Sequence, residues 1–83
     1  MTIEKLYQIL KKNVEAQLIS KEEIPLYTVE YDTAVFEYMS VARDEQTWIE
    51  RLNAVRAMEK SISQFLVQQT MARFNQTIVG FND

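Results

Sequence analysis

The chain has 83 residues, of which 47% are apolar and 25% charged, with a net charge of −3 and neither cysteine nor histidine. That length holds a single domain, residues 1–83, and buries only about 60% of the extended chain's surface, so the fold is marginal as a monomer. The missing residue types exclude disulfides, the common zinc ligand sets and every histidine-based triad, and one glycine and one proline argue against an all-β fold.

Thr2 is a suitable N-cap and Glu4 falls in the first turn behind it. Ile3, Tyr7, Leu10, Val14 and Leu18 then recur at helical spacing, with Leu6 beside them, and predict a helix over residues 3–19. The same stretch carries charges inside its apolar pattern and no small-residue cleavage site, unlike a signal peptide. No apolar run approaches the length of a membrane span. Cytoplasmic location and no membrane partner are the resulting expectations.

Ser20 and Glu23 have the spacing of a capping box, and Pro25 follows. Proline removes a backbone donor and disfavours helical geometry at Ile24, which suggests a turn at 20–24 with Pro25 in the first turn of the next helix. The stretch from Leu26 to Arg43 fits two templates. Tyr27, Val29 and Tyr31 alternate with polar residues as in a strand. As a helix, Tyr27, Tyr31, Ala34, Tyr38 and Val41 share one face, opposite Glu30, Thr33, Glu37, Ser40 and Asp44. Alternation fails after Asp32 and no hairpin dipeptide occurs, so a helix over 25–43 is preferred. The alternative is an α+β arrangement with a hairpin at 26–39 between two helices.

Asp44 is the next N-cap candidate, and Trp48, Leu52, Val55, Met58, Ile62, Phe65 and Leu66 form a stripe behind it. The pattern continues to Val79, with Gly80 as its stop, giving a third helix over 45–79. Trp48 is expected to anchor the core. A second stripe, Val67, Met71, Phe74 and Ile78, centres roughly 130° round the helix from the first. A helix of about 35 residues is roughly 50 Å long, while the other two reach less than about 30 Å. If all three began at one end, the last third of the third helix would be uncovered. The second stripe is then a contact surface for a second copy of the chain or for another protein. A bend near Gln68-Gln69 that folds the last turns onto the chain's own core is the competing expectation.

Charge is unevenly spread. Residues 21–50 carry eight acids against Lys21 and Arg43, while both flanking segments are mildly basic. Without histidine or cysteine, catalysis would rest on carboxylates such as Glu30 and Glu37, and acidic stripes on solvated helix faces are common. No glycine-rich phosphate loop exists, and no enzyme, metal or cofactor is expected. Glu30, Asp32 and Glu37 would repel nucleic acid directly. Together with Tyr31 and Tyr38 they give a second reading, an acidic, nucleic-acid-mimicking inhibitor, of the kind some phages encode, that blocks a basic surface. The bland reading packs the tyrosines inward with their hydroxyls at the rim. In size and pattern the chain resembles small helical accessory proteins such as secretion chaperones and phage accessory proteins. The sequence thus predicts an all-α, three-helix, non-enzymatic protein that works by protein–protein contact.

Overall fold

The computed structural model describes residues 1–20 and 22–82, and the side chains of these except Phe74 and residues 76–82. It contains α1 (Ile3–Ile19), α2 (Val29–Ser40) and α3 (Glu45–Asn82), and no strand among the described residues. The hairpin alternative at 26–39 is therefore not supported.

Each helix begins where a side-chain oxygen satisfies an amide that has no partner within the helix. Thr2 Oγ1 accepts from the Lys5 amide at 3.2 Å, and Thr28 Oγ1 from the Tyr31 amide at 3.2 Å. Asp44 Oδ1 accepts from the Thr47 amide and Oδ2 from the Thr47 hydroxyl, both at 2.8 Å. Ser20 closes α1 instead of opening another helix. Its amide donates to the Ala16 carbonyl at 2.9 Å, and its hydroxyl accepts from the Glu22 amide.

The second helix starts at Val29, four residues later than its sequence pattern suggests. The reason lies in α1. Asn13 Nδ2 donates to the Leu26 carbonyl at 2.7 Å and to Thr28 Oγ1 at 3.3 Å, and Gln17 donates to the Ile24 carbonyl. Linker carbonyls that would otherwise begin a helical ladder are turned onto α1. Pro25 thus lies in a non-helical strap outside the helix.

Among the described residues, three from each helix make the core: Leu6, Leu10 and Val14; Tyr31, Ala34 and Tyr38; Val55, Met58 and Ile62. In α1 the buried line runs through Leu6, whereas Tyr7 is exposed beside it. Helix α1 runs parallel to α3. Its first turns share a groove with Met58 and Ser61, and Arg73 donates to the Leu18 carbonyl at its other end. Helix α2 runs antiparallel. Tyr27 and Tyr31 lie beside Glu59, while Arg51 Nη1 donates to the Tyr38 carbonyl at 2.6 Å with its guanidinium 4.5 Å from the Tyr38 ring centroid.

The helices therefore do not begin at one end. Helix α2 covers α3 from about Arg51 to Glu59, and α1 is slid towards Arg73. This corrects the premise of a flush bundle: one side of α3 is covered further along than helix lengths alone suggest. The last turn of α1 contains no basic residue, and the Arg73 guanidinium supplies the cation that its C-terminal carbonyls favour. The opposite correction applies to Trp48. It lies before the stretch that α2 covers and is 45% exposed, so the core of α3 begins only after it.

Candidate interaction surface

Helix α3 passes through Gln68-Gln69 without interruption. The expectation of a break that returns the last turns to the core does not fit that continuity. Val67 and Met71 remain 60% and 54% exposed, as their offset of about 130° from the buried stripe requires. Phe74 and Ile78, the other two members of the second stripe, have side chains outside the described residues.

The same face carries Arg56 and Lys60 on the N-terminal side of Val67, one helical turn apart. An open groove crosses it, lined by Lys60, Ser63, Gln64, Val67 and Gln68. The surface is thus apolar towards Met71 and cationic towards Arg56. Neither α1 nor α2 lines that groove.

The second candidate surface is divided by the fold. Glu30, Asp32 and Glu37 are exposed, but Tyr31 and Tyr38 belong to the core. Burial and the neighbouring Glu59 carboxylate push the Tyr31 phenol well above its ordinary range. Its hydroxyl is buried without a hydrogen-bond partner of ordinary geometry. The Tyr27 phenol, half-exposed in the strap, is raised for the same two reasons, burial first. Its ring lies 5.5 Å from that of Tyr31.

What α2 presents outwards instead of tyrosine is Val29 and Phe36, 84% and 74% exposed. Sequence reasoning missed this pair. The available signal was their seven-residue spacing, which places both at nearly the same angle on the helix, opposite Tyr31 and Tyr38. Large apolar groups at that exposure, ringed by Glu30, Asp32 and Glu37, form a mixed acidic and apolar face. Among the described residues no three acidic side chains gather into a metal-holding group.

Among the described residues no helix is long and apolar enough to cross a membrane. Comparison of the chain with protein-family profiles, with curated proteins and with solved structures returned no match.

Proposed function

We propose that this chain is a small non-enzymatic helical interaction module, of accessory, chaperone-like or adaptor type, that meets other protein chains through the C-terminal part of α3. The supporting observation is the exposure of Val67 and Met71 on a face turned away from the core, on a helix that runs on unbroken. Isolated apolar residues on a surface are ordinary, but a stripe at helical spacing is how a helix recognises a groove or a second helix. Met71 suits such a role because its unbranched thioether side chain adapts to irregular partners. The small core, nine buried apolar residues among those described, adds a thermodynamic reason, since small domains commonly gain stability by association. The proposed setting is the cytoplasm, with neither membrane nor nucleic acid as a direct partner.

Met71→Asp tests the reading. The variant is expected to keep its circular dichroism and its dilute-solution melting temperature while losing association, measured as solution mass by light scattering over a dilution series. A large fall in the melting temperature of the dilute monomer would place the stripe in the core and overturn the reading.

A further inference from the structure

Two bare faces of this chain have complementary chemistry. On α2, Val29 and Phe36 stand among Glu30, Asp32 and Glu37. On α3, the groove of Lys60, Ser63, Gln64, Val67 and Gln68 has Arg56 before it and Met71 beyond it. Among the described residues, none of these five charged side chains forms an ion pair. We propose that the α2 face of one copy docks on the α3 face of another. Phe36 seats in the α3 groove against Val67 and the stem of Lys60, and the acids meet Arg56 and Lys60. This rests on the reading of the α3 face as an interaction surface and names what occupies it.

Size and charge both support that occupant. Helix α2 rises about 18 Å over its 12 residues, and the stretch from Arg56 to Met71 rises about 22 Å. Each end of α2 therefore finds surface beneath it. A lysine stem offers apolar contact to an aromatic ring while its ammonium faces carboxylates or the ring itself. Pairing the α3 stripe with its own copy leaves Val29 and Phe36 in water and gives Arg56 and Lys60 no counter-charge. The heterologous contact covers both faces and matches their charges. Because each chain carries one donor and one acceptor face, such contacts propagate until a ring closes or a filament grows.

The test is a complementation of two broken faces. Phe36→Asp removes the α2 anchor and Met71→Asp the α3 end, both at exposed sites where the fold is expected to survive. Wild type is expected to associate in sedimentation velocity, less so as salt is raised. Each variant alone should be monomeric. An equimolar mixture should give a species of twice the monomer mass and nothing larger, because one intact α2 face and one intact α3 face remain. Lys60→Glu in place of Met71→Asp should behave alike, and pairing it with Glu37→Lys should recover association. A wild type that stays monomeric overturns the proposal. So does a Phe36→Asp variant that still associates, which would leave the α3 surface standing as a self-paired contact. A mixture that remains monomeric does the same. Loss of folding in Met71→Asp would instead strike the underlying reading of α3.

Discussion

The Tyr31 hydroxyl is buried beside the Glu59 carboxylate and makes no hydrogen bond of ordinary geometry among the described residues. A buried hydroxyl left unpaired costs roughly 1–3 kcal/mol of desolvation. Tyr31→Phe removes that group and keeps the ring, so thermal stability is expected to stay level or rise, by up to about 1 kcal/mol. The same residue sets an alkaline dependence. Its folded pKa lies above the unfolded value, so the folded state resists ionisation that the unfolded chain undergoes freely. Its contribution is intact below the ordinary phenol range and is lost as pH rises through that range towards the folded value. Melting temperatures measured from neutral pH to about pH 11 should therefore fall less steeply in Tyr31→Phe than in wild type. That a tyrosine faced inward here was legible in the sequence, since Tyr31, Ala34 and Tyr38 follow helical spacing. That its hydroxyl would lack a well-formed hydrogen bond was not, because this depends on where Glu59 of another helix comes to rest.

Caps and straps set the limits of the elements. Asp44 accepts from Thr47 twice, and those hydrogen bonds, the backbone one first, hold its carboxyl below its ordinary range. A depressed folded pKa means that the cap's contribution is present above the unfolded carboxylate value and is lost as pH falls through the folded one. Asp44→Ala should lower the melting temperature at pH 7, and its difference from wild type should shrink as the solution is acidified towards about pH 2. Local chemistry of this kind was readable in advance: Thr2 and Asp44 were identifiable as caps, and α1 and the start of α3 stand where their patterns place them. The start of α2 was not readable to the residue. Capping box and proline signals around 20–25 compete with Asn13 and Gln17, whose amides reach across from α1 and tie the strap to it in a non-helical course. Trp48 illustrates the same limit, because its stripe predicts burial and only the reach of α2 decides it. Phe36 was overlooked for the converse reason. It lies with Val29 on the polar side of α2, where apolar residues break the polar stripe without joining the core.

On the scale of the whole molecule, the stagger of the helices ties stability to the proposed association. Helices α1 and α2 cover overlapping but different stretches of one face of α3, and the other face is bare from Arg56 to Met71. With nine buried apolar residues among those described, the core is small enough that a few kcal/mol decides how much of the chain is folded. Anything that binds the folded chain and not the unfolded one then raises its apparent stability by mass action. A partner copy acts in this way, with an effect that grows with the concentration of the chain itself. Wild-type melting temperature is therefore expected to climb as concentration rises from micromolar to millimolar. At about a hundredfold above the dissociation constant the gain is roughly 2.7 kcal/mol. In a domain of this size 1 kcal/mol shifts the midpoint by about 4–8 °C, so a climb of that magnitude is readily measured by calorimetry. Met71→Asp should flatten the dependence while matching wild type at the dilute end, because in the proposed docking Met71 stabilises the assembly and not the monomer. A flat wild-type curve would mean that the chain folds alone over that range, and the α3 surface would then have to be matched to a different protein.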